Sequence, residues 1–238
     1  MGPEIVGSTA LVTGANKGIG REVARRLTEA GHAVWIGARD RVRGEEAASA
    51  LGPRARFVWL DVTDDESIRE AAEAVREAGG LDVLVNNAGI ARPDAPNAPR
   101  AHLREVFDVN VFGAAAVAYG FLPLLRESEA PRIVNVSSGV GSLARASDPG
   151  SEFYPLASVT YPASKAALNM VTVQLAKQLA GTPFKVNAAD PGFTATDLNG
   201  HRGYRTVEQA AEIVVRLATL GGDGPTGGFF DEDGPVPW

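Results

Sequence analysis

Short runs of consecutive apolar residues alternate with longer amphipathic stretches along the whole chain. Ala10-Leu11-Val12-Thr13, Ala33-Val34-Trp35-Ile36, Phe57-Val58-Trp59-Leu60, Val83-Leu84-Val85, Ile133-Val134-Asn135-Val136, Lys185-Val186-Asn187-Ala188 and Gly228-Phe229-Phe230 read as buried strands. Helical periodicity covers about 18–30, 41–51, 64–78, 100–125, 162–180 and 206–220. Gly31 stops the first helix, and Thr206 with Gln209 forms a capping box for the last. Strands apolar on both faces, separated by amphipathic helices, predict a parallel sheet covered on both sides. Right-handed crossovers make it doubly wound: an α/β fold of Rossmann type with seven strands. Neither a repeat nor a linker interrupts the pattern, so residues 1–238 read as one domain.

Two segments break the rhythm. Residues 139–160 form a long connection, and residues 193–205 follow Pro191-Gly192 without clear periodicity. Both fall beyond the carboxyl ends of strands, where ligands bind in such sheets, and are expected to form the substrate side.

Composition narrows the partners. A net charge of −6 argues against nucleic acid. The absence of cysteine excludes disulfides, thiol chemistry and iron–sulfur ligation. His32, His102 and His201 lie far apart without ligand spacing, so no metal is expected. No N-terminal basic-then-apolar signal and no uninterrupted apolar run of membrane length is present, and the expectation is a cytoplasmic chain without membrane partners.

The chemistry centres on Tyr161-Pro162-Ala163-Ser164-Lys165. Residues four apart share one face of a helix, and Pro162 is tolerated in a first turn. An ammonium beside a phenol favours the phenolate. One charge at about 4 Å with an effective dielectric near 20 contributes roughly 4 kcal/mol. That is about three units below a reference pKa near 10, and it predicts an acidified tyrosine. Thr13-Gly14-Ala15-Asn16-Lys17-Gly18-Ile19-Gly20 joins the first strand to the first helix with G-x-x-x-G-x-G spacing. Such glycines let backbone approach a pyrophosphate at a helix N-terminus, which makes Gly14, Asn16, Lys17, Gly18, Ile19 and Gly20 candidate nucleotide-binding residues.

The glycine turn, Asn86-Asn87-Ala88-Gly89, Asn110, Ser138, the Tyr161/Lys165 pair and Pro191-Gly192 follow the order seen in short-chain dehydrogenases/reductases, and the resemblance spans nearly the whole chain. Gly-Ala-Asn-Lys-Gly-Ile-Gly, Ala38-Arg39-Asp40, the long gap from Ser138 to Tyr161 and the terminal tryptophan resemble the carbonyl reductases of that family.

The resemblance implies a nicotinamide cofactor. A count from Gly20 reaches Asp40 and would suggest NAD; in the family pattern the deciding positions are Ala38 and Arg39, and with Lys17 they imply NADP, with NADPH preferred over NADH. Asp61 and Val62 match the pair at the adenine, and Asn87, Ala88 and Gly89 the run beside the adenosine ribose, although Asn86 and Asn87 could chiefly brace the sheet. Pro191, Gly192, Thr194 and Thr196 fall in the segment at the nicotinamide carboxamide, with Thr194 where valine or isoleucine is usual.

By the same resemblance Ser138 (rather than Ser137) binds the carbonyl oxygen and Tyr161 protonates the alkoxide. Lys165 binds the nicotinamide ribose, and Asn110 holds a water leading to Lys165. The implied activity is NADPH-dependent reduction of a small ketone, aldehyde or quinone. An alcohol or steroid dehydrogenase, a pathway-specific ketoreductase and a non-catalytic redox sensor are the alternatives. Phe153, Tyr154, Leu156, Phe193, Tyr204 and Trp238 are candidates for an apolar cleft. A monomer is expected over a homo-oligomer, because 139–160 could cover the helix faces through which relatives pair.

Overall fold

The computed structural model describes residues 7–94 and 99–238. Seven strands form one sheet: β1 (Thr9–Thr13), β2 (Ala33–Ala38), β3 (Ala55–Trp59), β4 (Val83–Asn86), β5 (Arg132–Val136), β6 (Lys185–Ala189) and β7 (Phe229–Phe230). Their order is β3-β2-β1-β4-β5-β6-β7, and every pairing is parallel. The chain winds outward from β1 in one direction and from β4 in the other, so the crevice between their carboxyl ends is the switch point of the sheet.

The helices are α1 (Gly18–Glu29), α2 (Arg41–Leu51), α3 (Asp65–Glu77), α4 (Pro99–Phe107), α5 (Ala114–Leu125), the short α6 (Leu143–Ser147), α7 (Thr160–Gln178) and α8 (Val207–Ala218). The alternation of side chains along each strand divides them between two cores. Ala10 and Val12 of β1 face α1, α2 and α8, meeting Val23, Leu27, Ala47, Val214 and Leu217. Leu11 faces α3, α5 and α7, with Ile68, Val75, Phe121, Leu125 and Leu175.

The single helix expected over 100–125 is interrupted by a π segment, Asp108–Gly113, between α4 and α5. A π turn adds one residue per turn. Here it accompanies two tight contacts: Asn110 turns inward to Ile90, and a side chain at Gly113 would lie 2.7 Å from the Val62 carbonyl oxygen. By length and composition alone Arg100–Leu125 would pass for a membrane-crossing helix. In the fold Val106, Val117, Phe121 and Leu125 are buried inside the protein.

Residues 139–160 do not cover the outer faces of the two long helices, the reason given for expecting a monomer. Phe112, Tyr119 and Met170 remain exposed there, and the Tyr119 hydroxyl donates to Gln178 Oε1 across α5 and α7 at 3.1 Å. The segment turns instead toward the cleft, through α6 and Phe153.

Candidate active site

A cleft of about 1730 Å3 runs across the carboxyl ends of the strands. That exceeds the range typical of a single small ligand, about 300–1,000 Å3. At one end lies the turn from β1 to α1. Gly14 has φ +64 and Gly18 φ +56. A side chain on Gly14 would come within 3.0 Å of the Ala88 Cα, so the turn lies directly against the loop after β4. Asn87 holds it there, donating from Nδ2 to the carbonyls of Thr13 (2.8 Å) and Gly14 (3.3 Å). The backbone N–H groups of Asn87 and Ala88 donate to Thr13 Oγ1 at 3.0 and 2.9 Å. Asn86 braces the sheet itself, through Asn135 Oδ1 at 2.9 Å.

Capping distinguishes this helix from its neighbours. Asp40, Asp64 and Thr206 cap α2, α3 and α8 with their side chains. The N-cap of α1, Lys17, provides no side-chain acceptor. The first N–H groups of α1 therefore face the cleft with the positive end of the helix dipole and no capping oxygen, which suits a phosphate. Gly14, Asn16, Lys17, Gly18 and Ile19 line this end; Gly20 lies beneath, against Asn87.

Further along, Arg39 is exposed and lines the cleft beside the buried Ala38. Asp40 is turned away: its Oδ1 accepts from the Arg43 N–H at 3.1 Å, and its other oxygen lies 3.3 Å from the Arg43 guanidinium. Lys17 reaches across the mouth to Asp197 at 2.7 Å, an exposed pair that an incoming anion can replace. Asp61 and Val62 line the next stretch of wall, Asp61 accepting from the backbone and hydroxyl of Thr63 at 3.0 and 2.7 Å.

Tyr161, Lys165 and Ser138 meet on the floor. Lys165 is buried, donates from Nζ to the Val136 carbonyl at 2.8 Å, and stands 5.6 Å from the centre of the Tyr161 ring. The Ser138 hydroxyl hydrogen-bonds the phenol. Ser137, by contrast, is committed to Asn169 Oδ1 at 2.6 Å, which leaves Ser138 as the serine facing the tyrosine. Asn110 donates to the Ile90 carbonyl at 2.9 Å and to Ser164 Oγ at 3.0 Å, and its Oδ1 accepts from the Ile90 N–H at 2.8 Å. A side chain built on Gly89 would lie 3.4 Å from that oxygen and 3.7 Å from Lys165 Nζ, so all three share one corner.

The electrostatics reverse the expectation for the phenol. Burial pushes Tyr161 above the ordinary tyrosine value, the Asp190 carboxylate raises it further, and the Ser138 hydrogen bond opposes both. Burial pulls Lys165 down to about 8. Desolvation penalises the charged form of each partner and leads the causes at both groups.

Pro191, Gly192, Thr194 and Thr196 form the opposite wall. Thr194 is buried and its hydroxyl bonds the carbonyls of Pro191 and Gly192 at 3.3 and 3.1 Å. Thr196 caps a short 3-10 turn, Asp197–Asn199, and faces Gly18. Of the apolar candidates, Phe153, Leu156, Phe193 and Tyr204 line the cleft. Trp238 does not: it stacks on Phe229 at 5.5 Å, and its carbonyl accepts from Ala144 N at 2.9 Å. Tyr154 is likewise outside the lining.

Two carboxylates in this region escaped sequence reasoning. Asp94 accepts from the N–H groups of Val159 and Thr160 at 2.9 and 3.0 Å and from the Thr160 hydroxyl at 2.7 Å, capping the helix that carries Tyr161. These bonds, the Thr160 hydroxyl first, hold its carboxyl down at about 2. Asp190 is buried at the end of β6. A charged residue ending an apolar strand was the one available signal for it; nothing local announces Asp94.

Comparison with known proteins agrees with this fold. The sequence matches the short chain dehydrogenase family over residues 8–205. It is 39% identical over 226 residues to the short-chain dehydrogenase anuI of Penicillium roqueforti, covering 89% of this chain and 88% of that one. It is 34% identical over 275 residues to carbonyl reductase (NADPH) 1 of Bos taurus, covering 96% and 98%. The structure of NADPH-bound carbonyl reductase from chicken fatty liver superposes with a TM-score of 0.86 at 29% identity, covering 98% of this chain and all of that one (100%). A doubly wound sheet, a first helix without a side-chain cap at the cleft and a floor of Tyr161, Ser138 and the buried Lys165 thus occur together in a chain that belongs to the short-chain dehydrogenase/reductase family, as a carbonyl-reductase-like oxidoreductase.

Proposed function

We propose that this chain is an NADPH-dependent reductase of small carbonyl compounds, with Tyr161 as the proton donor. The observation that carries the reading is a half-buried phenol beside the buried Lys165, on the floor of a cleft whose far end has helix N–H groups without a side-chain cap and exposed cations suited to a nucleotide. When bound, the reduced nicotinamide supplies the hydride. The chain does the rest: Ser138 and Tyr161 hydrogen-bond the carbonyl oxygen, and Tyr161 passes its proton to that oxygen as negative charge develops. A ketone, aldehyde or quinone carbonyl thereby gains one hydride and one proton and leaves as a hydroxyl. Lys165 orients the nicotinamide ribose with the Nζ donors not used on Val136, and Asn110 holds the loop at Gly89 and Ile90 in place.

Carbonyl reduction draws on the phenol and alcohol oxidation on the phenolate. Turnover of a panel of ketones, aldehydes and quinones, followed by loss of NADPH absorbance, tests the reading. No consumption with any member would refute it.

Preference for NADPH is supported by the placement of Arg39 in the cleft and by the diversion of Asp40 to its own helix. The Arg39→Ala variant is expected to lose about 10- to 100-fold in kcat/KM for NADPH, the size of the roughly 1.5–3 kcal/mol that a hydrogen bond to a charged group contributes, and little for NADH. Unchanged selectivity would move the assignment to Lys17 and the remaining cations.

A further inference from the structure

We propose that Asp190 is a positioning residue for proton transfer: its buried carboxylate ties the backbone beside Ser138 to the Pro191–Gly192 turn and presents a fixed negative charge to the Tyr161 phenol. The proposal rests on the reductase reading given above. One oxygen of Asp190 accepts from the Gly192 N–H at 2.9 Å. The Gly139 N–H also donates to the carboxylate, and a side chain on Gly139 would fall 2.6 Å from Asp190 Oδ2. A single group therefore sets the spacing between the serine wall and the wall expected to meet the nicotinamide. The contact leaves room only for glycine at 139.

The charges around it are few. Arg145 of α6 places one guanidinium nitrogen 3.5 Å from Asp190 and another 2.8 Å from Asp231, just past β7. Arg205 feels Asp190 from the 193–205 loop but is paired with Glu232. Lys165, 5.6 Å from the ring centre, and the Ser138 hydroxyl also act on the phenol. Arg145 thus shares its charge between two carboxylates, and Asp190 remains a source of negative potential only partly balanced. Burial raises the Asp190 carboxyl, while the two N–H donors and Arg145 favour its ionised form. A negative charge beside a phenol stabilises the proton on it. Asp190 so keeps Tyr161 loaded for reduction.

Two variants separate this role from a purely structural one. Asp190→Asn keeps the shape and one acceptor oxygen but removes the charge. Arg145→Gln leaves the carboxylate uncompensated. In the oxidative direction, with NADP+ and the alcohol product, kcat/KM rises with pH as the phenol ionises. Asp190→Asn is expected to move that rising limb about one unit lower, and Arg145→Gln to move it higher.

A structural carboxylate would change the height of the plateau and leave the limb in place; an unmoved limb in both variants overturns the proposal. The ultraviolet difference titration against Tyr161→Phe follows phenolate formation without turnover and should show the same opposite displacements. Absence of turnover in the wild type would sink the reductase reading alone, since the titration still reports the charge on the phenol. Should Asp190→Asn fail to fold, Arg145→Gln decides, and a limb that stays put or falls overturns the role.

Discussion

Tyr161→Phe is expected to lower kcat/KM for carbonyl reduction by about 100- to 10,000-fold, the contribution of a positioned general acid. The hydroxyl is the only atom group removed. The ring stays in the floor beside Lys165 and no backbone contact is lost. NADPH binding, read by fluorescence titration, should therefore persist, as should the thermal midpoint. Loss of turnover with retained binding locates the defect in proton donation. Full activity in the variant would remove Tyr161 from the chemistry and reopen the reading of the chain as a nucleotide-binding sensor.

Lys165→Met is expected to lower turnover by about 100-fold or more while stabilising the ligand-free protein. The two effects share one cause. Folding takes an ammonium into a site only 4% exposed and lowers its pKa from 10.5 to about 8. At roughly 1.4 kcal/mol per unit, that burial costs about 3 kcal/mol. Methionine escapes this cost but gives up the hydrogen bond to Val136, worth about 1 kcal/mol, and a net gain of about 1–2 kcal/mol remains.

The sign fixes the pH window. Between about 8 and 10.5 the unfolded lysine binds a proton that the folded one has lost, so wild-type stability rises with pH there. The advantage of the variant should be complete below about pH 8 and vanish by 10.5. Denaturant midpoints across that range measure it, and a destabilised variant at neutral pH would show that Lys165 is held by more than the Val136 carbonyl.

Both predictions bear on what could be read in advance. The strands from Ala10 to Phe230 and the helices between them were legible because each rests on local periodicity. The parallel, doubly wound sheet followed from strands without a polar face. The glycine spacing announced the turn in which Gly14 and Gly18 take positive φ, and the four-residue spacing put Tyr161 and Lys165 on one side of a helix. The break at Asp108–Gly113 was not legible, since Asn110 turns inward to satisfy Ile90 from another element. Trp238 fitted an apolar cleft by composition, yet it packs on Phe229 because the chain end is pinned to α6.

By itself the sequence determined which residues are within reach of one another along a strand, a turn or a helix, and hence the fold, the glycine turn and the Tyr161/Lys165 pair. Tertiary structure alone decided that Asp40 caps a helix and leaves the cleft to Arg39, that Asp94 anchors the start of α7, and that the Tyr161 phenol is raised. Those outcomes depend on desolvation and on partners distant in the chain, and neither quantity exists until the walls of the cleft have closed around the group concerned.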